Sequence, residues 1–237
     1  MRLLHLRVPG ISPYSHAAAL QDHIVKQFLT FKATASSHEP PPEPTVITAQ
    51  FRPVYTCGRR EIGSISADQQ EFLRADGRAD FVEALRGGQT TFHGPGQLVA
   101  YPIIDLKRHK ISPRCYVRLL EDTLIATLAR YGIKGLITEN PGVWTSEERK
   151  IAAVGVHLRR NITSHGIGLN IHTDLWWFNR IVACGLEGKE TTSFEREGVP
   201  EMEVESVGDT FVDELGKQLG VGEVSTELKT NSLDMTS

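Results

Sequence analysis

The sequence predicts a single domain of the α/β class, built from buried strands and amphipathic helices. A chain of 237 residues is long enough for one sizeable hydrophobic core. Apolar runs with β-branched residues, such as those at 45–51 and 150–158, are typical of buried strands. Other segments repeat apolar residues at intervals of three and four, which is the spacing of one helix face. Both patterns within a chain of ordinary single-domain length indicate this fold class.

Three long helices are predicted from apolar spacing and from residues that cap helix ends. The first starts at Tyr14 or Ser15, the second covers 113–131 and the last covers 204–219. Ser112 is expected to cap the second helix, because its hydroxyl can accept a backbone hydrogen bond and a proline follows it. Gly132 is placed for the C-cap of that helix. Shorter helices are expected at 69–76 and after Asp174. The residues predicted to face the core are Leu20, Ile24, Phe28, Phe31, Val117, Leu120, Leu124, Leu128, Val207, Phe211, Leu215 and Leu219.

The remaining regular segments are predicted to be strands. They cover residues 3–8, 45–51, 97–105, 135–139, 142–145, 150–158 and 163–171, with a turn at 9–13. Residues 34–44, TASSHEPPPEP, are polar and proline-rich, which predicts an exposed insertion without a core of its own. From Gly220 onward the chain is polar and is expected to fray. The predicted domain therefore covers 1–220, followed by a tail at 221–237.

Composition excludes several classes of function. The formal net charge of −3 argues against bulk binding of nucleic acid, which needs a basic surface. No apolar run approaches the ~20 residues that cross a bilayer, so no membrane partner is expected. The three cysteines, Cys57, Cys115 and Cys184, are far apart and lack metal-binding spacing. A reducing compartment suits such a chain, and Cys57 and Cys115 are predicted to be small buried residues.

A dense glycine-rich loop is the first candidate site. Residues 86–97, RGGQTTFHGPGQ, contain four glycines and lead into an apolar strand. Glycine lets a backbone or a ligand approach closely, and several together are entropically costly unless the loop has a task. We expect Arg86 and His93 to point towards a bound group; the alternative is a pair of tight turns with a hydrogen-bonded histidine. Residues 56–63, TCGRREIG, are either a second part of the binding loop or a solvated turn.

Cys184 is the cysteine most suited to nucleophilic chemistry, because Gly185 leaves the backbone open beside its sulfur. The thiolate is the attacking form, and at neutral pH it needs a nearby cation or base. Lys150 begins an apolar strand, so it is either a surface lysine or a desolvated ammonium beside the sulfur. The histidines considered as partners are His93, His165 and His172. His165 is either structural or catalytic, whereas His157 and His172 are interpreted as structural.

Four segments together resemble the lipoyl(octanoyl) transferase family. They are RGGQTTFHGPGQ at 86–97, Lys150-Ile151-Ala152 with Gly155, SHGIGLN at 164–170 and ACG at 183–185. Lys150 precedes Cys184 by 34 residues, a separation that belongs to the resemblance. The resemblance extends from near the N-terminus to about Gly198, and the proline-rich insertion is similar to that of the fungal branch.

The resemblance implies the catalytic-domain fold of biotin and lipoate protein ligases, a mixed sheet with surrounding helices. It implies transfer of an octanoyl group from octanoyl-acyl carrier protein to a lysine of lipoyl domains, either in 2-oxoacid dehydrogenase E2 subunits or in glycine cleavage H protein. By resemblance, Cys184 carries an acyl-thioester and Lys150 lowers the pKa of its thiol. No cofactor or metal is expected, and the chain is expected to be a monomer. The substrate-binding residues implied are Arg86, Gly87, Gly88, Gln89, Thr90, Thr91, Phe92, His93, Ala153, Val154, Gly155, Gly166, Ile167 and Gly168.

This chemistry places demands on the site. An octanoyl chain needs an apolar slot, worth ~0.8 kcal/mol for each buried methylene, and Val154, Ile167 and Leu169 are candidate lining residues. Backbone N–H groups of the glycine-rich loops are candidates for binding a tetrahedral oxyanion. Acidic carrier domains would be steered by basic side chains. The residues considered for steering are Arg59, Arg60, Lys107, Arg108, Lys110, Arg159 and Arg160.

Two alternatives stay open. An ATP-dependent lipoate or biotin protein ligase on the same fold would activate the acid as an adenylate and would not need the cysteine. A non-catalytic module would only hold an acylated carrier protein. The resemblance to eukaryotic members implies a mitochondrial location, and a bacterial origin would instead imply the cytoplasm.

Overall fold

The computed structural model describes residues 2–34, 40–181, 188–199 and 202–230. A 3₁₀ helix covers Leu175–Arg180. In chain order the other elements are β1 (Arg2–Ser12), α1 (Tyr14–Ala33), β2 (Thr45–Phe51), β3 (Val54–Cys57), α2 (Ala67–Arg74), β4 (Asp80–Glu83), β5 (Thr91–His93), β6 (Gln97–Ile103), α3 (Pro113–Ala129), β7 (Val143–Trp144), β8 (Arg149–Arg159), β9 (Ile162–Asn170), β10 (Glu190–Thr191), α4 (Val204–Leu219) and β11 (Glu223–Leu228).

The main sheet is mixed, as the resemblance implied. Its order is β10-β8-β9-β6-β2-β1-β11, and β7 also pairs with β8. The strand pairs β1–β2, β1–β11 and β8–β10 are parallel, whereas β2–β6, β6–β9, β8–β9 and β7–β8 are antiparallel. A smaller sheet has the order β4-β3-β5. The predicted fold class, an α/β domain with helices around a mixed sheet, is confirmed.

Helices cover both faces of the main sheet. Side chains alternate between the faces of a strand, so β6 contributes to two cores. Val99 and Tyr101 pack in a cluster with Ile24 and the rest of the buried face of α1. Leu98 and Ala100 belong to the opposite cluster, which includes buried residues of α3 and α4. The sheet is therefore the middle of three layers.

Helix ends and helix faces follow the sequence closely, with a few differences. The observed bounds of α4 match the predicted 204–219, and the Ser112 hydroxyl caps α3 by accepting a hydrogen bond from the Cys115 N–H at 3.2 Å. The C-cap of α3 is Arg130 rather than Gly132. Tyr116 occupies the core position expected for Val117, which is only partly buried, as is Phe31. Cys115 is exposed, so its assignment as a small buried residue is wrong, whereas Cys57 is buried.

Several segments differ from the prediction in whether they form regular secondary structure. β1 continues through residues 9–12 instead of turning, and 135–139 forms only an isolated bridge from Leu136 to Trp144. The chain after Gly220 does not fray at once, because Glu223–Leu228 pairs in parallel with β1. Of the proline-rich insertion, residues 35–39 lie outside the described part, and the carbonyl of Pro44 accepts a hydrogen bond from the Leu4 N–H at 2.9 Å. Among the described residues, no helix has the length and apolarity to cross a membrane.

Candidate active site

One cavity of about 330 Å³ gathers the segments that carry the sequence signature. Residues 86–93, 153–155 and 166–168 all line it, and so does Lys150. The strands β8 and β9 and the loop leading into β5 thus bring together Lys150 and all the residues that the resemblance implied for substrate binding. Their roles in binding and catalysis stay predictions. Cys184 lies outside the described residues.

The glycine-rich loop packs directly on β8. The N–H of Gly87 donates to the carbonyl of Val156 at 2.9 Å. Gly155 lies beneath this contact, and a β-carbon there would be 3.2 Å from the Gly87 carbonyl oxygen. Gly88 has a φ of +87°, in the left-handed region that favours glycine. The glycines therefore let two backbones approach at the wall of the cavity.

The guanidinium of Arg86 holds this loop in shape. It donates to the hydroxyl and carbonyl oxygens of Thr56, and to the carbonyls of Gly87 and Gln89, both at 2.9 Å. The side chain is buried, and burial lowers the pKa of Arg86 from its ordinary value. The expectation that Arg86 points towards a bound group changes accordingly. Its donors are directed mainly at the loop and at β3.

The segment 56–63 is a second support of the same loop. The carboxylate of Glu61 accepts hydrogen bonds from the N–H and the hydroxyl of Thr90, at 2.6 and 2.7 Å. Arg60 lines the cavity. Of the two interpretations of this segment, a part of the binding-loop assembly is the one that these contacts favour.

The two histidines that line the cavity are neutral at pH 7. Burial, followed by the charge of Arg86, lowers the pKa of His93 to about 4 and that of His165 to about 3. His93 Nδ1 lies 2.6 Å from Oε1 of Gln97, whose amide group donates to Asn170 at 2.8 Å. Neither histidine therefore offers the cation that a thiolate needs. His172 lies outside the cavity lining, in agreement with its structural interpretation.

The position of His165 depends on an unusual backbone conformation. Its φ is +54°, which is rare outside glycine, and its N–H donates to Oε1 of Gln21 in α1 at 2.5 Å. The imidazole packs edge-on against Tyr101 with ring centroids 5.4 Å apart. The next residue must be glycine, because a β-carbon at Gly166 would lie 2.2 Å from the carbonyl oxygen of Ala100.

Lys150 is a buried lysine in the cavity wall, so the alternative of a surface lysine is wrong. Only 7% of the residue is exposed. Its Nζ donates to the carbonyl of Pro141 at 2.7 Å and lies 5.4 Å from the ring centroid of Trp144. Both contacts suit an ammonium group, the second by cation–π attraction. Lys150 thus brings a positive charge to the cavity wall, which Arg60 and Arg86 also line.

The apolar lining agrees only in part with the prediction. Val154 and Ile167 line the cavity, whereas Leu169 is buried in the core between the sheet and α3. Sequence reasoning missed further lining residues, among them Val117, which the helix pattern assigned to the core but which is only partly buried and lines the cavity. The missed residues that add apolar surface are Tyr101, Val117, Pro141, Ala152, Phe178 and Ile181.

Comparison with solved structures identifies the fold class. The chain is similar to a solved lipoate-protein ligase A bound with ATP, with a TM-score of 0.69 over 98% of this chain and 90% of the other. At 12% sequence identity this likeness shows the fold alone.

The family follows from sequence. The chain belongs to the family described as lipoyl protein ligase A/B catalytic domain, whose model matches residues 13–216. It is 56% identical over 187 residues to a Schizosaccharomyces pombe protein named "Probable octanoyltransferase", covering 78% of this chain and 82% of the relative. It is 42% identical over 197 residues to a mitochondrial octanoyl-[acyl-carrier-protein]:protein N-octanoyltransferase of Danio rerio, covering 83% and 82%.

Proposed function

We propose that this chain is an octanoyltransferase of protein lipoylation that works through a thioester on Cys184. The observation that carries the proposal is the buried ammonium of Lys150 in the wall of a cavity with apolar lining. The acyl group and the reaction class are inferred from the relatives, which are named octanoyltransferases. Octanoyl-acyl carrier protein is the donor, and lysines of lipoyl domains, including that of glycine cleavage H protein, are the acceptors.

The reaction proceeds in two balanced steps. The Cys184 thiolate attacks the thioester carbonyl of the donor, a carbon–sulfur bond forms, and the carrier leaves as a thiolate that takes up a proton. The amine of the acceptor lysine then attacks the new thioester, forms an amide, and releases the cysteine. Exchange between two thioesters is nearly isoenergetic, so no nucleotide is consumed. A covalent intermediate lets one cavity serve two protein partners in turn.

Lys150 supplies the positive charge that favours the thiolate. His93 and His165 are neutral, so they do not supply this charge. Of the cations in the described lining, Arg60 is exposed and Arg86 is bound to the loop, which leaves Lys150. Val154 and Ile167 give the acyl chain an apolar wall, worth ~0.8 kcal/mol for each methylene removed from water. We assign the other candidate residues of 87–93, 153–155 and 166–168 to substrate binding, and Arg86 to holding the loop that carries the first of these segments.

Partners and location complete the proposal. We propose that the chain acts as a monomer in mitochondria, the compartment given in the name of the Danio rerio relative. Basic side chains such as Arg59 and Arg60 would steer acidic carrier domains towards the cavity. Steering predicts that kcat/KM falls as ionic strength rises. Kinetics that do not respond to salt would contradict this part.

The decisive assay is octanoyl transfer in the absence of ATP. Purified protein, octanoyl-acyl carrier protein and a lipoyl domain should give octanoylated acceptor, and Cys184→Ser should abolish it. The ATP-bound ligase on the same fold makes a ligase the second candidate. A ligase would require ATP with free octanoate and would keep its activity in Cys184→Ser. A binding module would retain the carrier and modify no acceptor.

A further inference from the structure

The turn at residues 140–142 is held at each of its three residues. The indole N–H of Trp144 donates to the carbonyl of Asn140 at 3.2 Å. The carbonyl of Pro141 accepts from Lys150 Nζ at 2.7 Å. The N–H of Gly142 donates to Oε1 of Glu121 in α3 at 3.0 Å. The Pro141 carbonyl, an acceptor of the lysine ammonium, is thus fixed from both sides.

Gly142 provides the space in which the lysine lies. Its φ is +115°, and a β-carbon there would be 2.5 Å from Cε of Lys150 and 2.4 Å from the carbonyl oxygen of Ala152. The lysine stem therefore passes over a bare α-carbon, with the Trp144 ring also within cation–π range. We call Glu121, Asn140, Pro141, Gly142 and Trp144 the lysine cradle.

The burial of Glu121 costs free energy. Only 6% of it is exposed, and its neighbours on α3, Leu120 and Leu124, belong to the hydrophobic core. A buried carboxylate is unfavourable unless hydrogen bonds compensate it. The next residue, Asp122, is by contrast only partly buried and pairs with Arg118 on the surface. The burial of Glu121 is explained if holding Gly142 has a purpose beyond stability.

We propose that Glu121 and Trp144 are positioning residues, which fix the turn at 140–142 and through it the ammonium of Lys150. This inference rests on the proposed function, in which Lys150 stabilises the attacking thiolate. A displacement of about 1 Å in a reacting constellation can cost on the order of 10²-fold in rate, so a loosened cradle affects the chemical step. Neither residue needs to touch the substrate.

Kinetics of octanoyl transfer test the proposal with three variants. Glu121→Ala should lower kcat at least tenfold while KM for octanoyl-acyl carrier protein changes less than twofold. Glu121→Gln should recover kcat to within about threefold of wild type, because its amide oxygen still accepts from the Gly142 N–H. Asp122→Asn is the matched control and should behave as wild type. Full kcat in Glu121→Ala, or a Glu121→Gln variant as slow as Glu121→Ala, would overturn the proposal.

A measurement without substrate separates this inference from the proposed function. Lysines of the intact protein are labelled with an amine-reactive reagent, and the rate at each site is read by mass spectrometry. Lys150 should label at least fivefold faster in Glu121→Ala than in wild type, whereas the exposed Lys217 should not change. Equal Lys150 rates would refute the cradle even if wild type transfers octanoyl groups. If Glu121→Ala fails to fold, Trp144→Phe must show the same acceleration.

Discussion

A β-carbon on Gly58 would lie 2.2 Å from the carbonyl oxygen of Gly88, so the two glycine-rich segments of the chain meet at bare backbone. The same β-carbon would lie 2.8 Å from Nη1 of Arg86. The N–H of Arg59 donates to the carbonyl of Arg86 at 2.9 Å, next to this contact. The cavity wall at 86–91 therefore depends on a neighbouring loop that does not itself contain the main signature.

Gly58→Ala should displace the loop at 86–91. The obstructing atom is a backbone oxygen, which cannot rotate away as a side chain would, so we expect a loss of about 1–3 kcal/mol in the free energy of unfolding. Octanoyl transfer should fall with it. Chemical denaturation and the transfer assay measure both effects. Gly222→Ala is the control, since a β-carbon there meets nothing within 4 Å; equal stabilities for the two variants would contradict the contact.

Arg86→Lys should be strongly destabilising although the charge is kept. The guanidinium bonds Thr56 and two loop carbonyls at once, and an ammonium cannot reproduce this planar set of donors. Leaving buried carbonyls without donors predicts a loss on the order of 3 kcal/mol, measured by denaturation. Arg118→Lys, at an exposed ion pair with Asp122, should change stability by less than about 0.5 kcal/mol. A mild Arg86→Lys would mean that the loop does not need its guanidinium.

Glu61→Ala should impair binding more than folding. Glu61 is only partly buried and holds Thr90 by two hydrogen bonds, so its removal frees one end of the cavity loop. We expect KM for the donor to rise several-fold, with a stability loss of about 1–2 kcal/mol. Steady-state kinetics and thermal unfolding give the two quantities. Glu71→Ala, on the exposed side of α2, serves as the comparison and should leave KM unchanged.

Stability should fall on mild acidification because three buried histidines are neutral in the fold. Burial lowers the pKa of His5 and His93 to about 4 and that of His165 to about 3. In the unfolded chain a histidine has a pKa of ~6.5. Between these values the unfolded state binds more protons, so the free energy of unfolding rises with pH and is lost as pH falls from about 6.5 towards 4.

The size of this effect is set by proton counting. Each histidine contributes a slope of at most ~1.4 kcal/mol per pH unit inside that window. His5 lies between Thr48 and Thr226, in contacts of 2.7 and 3.2 Å, and it does not line the cavity. His5→Gln should therefore flatten the pH dependence of unfolding while leaving substrate binding intact. An unchanged slope between pH 4 and 6.5 would be incompatible with a neutral His5.

The sequence was most informative where structure is decided locally. The Ser112 cap and the bounds of α4 depend on nearby residues, and both agree with the prediction. The glycine positions were also informative, because a position such as Gly166 has no room for a β-carbon, whatever its neighbours in sequence. Glycine spacing, together with the resemblance, was enough to select segments that line one cavity.

Other features depend on contacts that side-chain patterns do not encode. β11 is held by backbone pairing along the edge of β1, so its polar sequence gave no strand signal. Leu169 and Ile167 share one face by alternation, yet only Ile167 lines the cavity. The position of Val117 depends on how α3 lies over β8. The burial of Glu121 depends on the turn at 140–142, which is distant in sequence and supplies the hydrogen bond to its carboxylate.

The most direct test is the intact mass of the protein after incubation with octanoyl-acyl carrier protein alone. Wild type should gain one octanoyl group, located on Cys184 by peptide mapping, and Lys150→Ala should gain it far more slowly. Addition of a lipoyl domain should then discharge the adduct. Octanoylation of the lipoyl domain with no adduct ever forming on Cys184 would contradict the thioester mechanism.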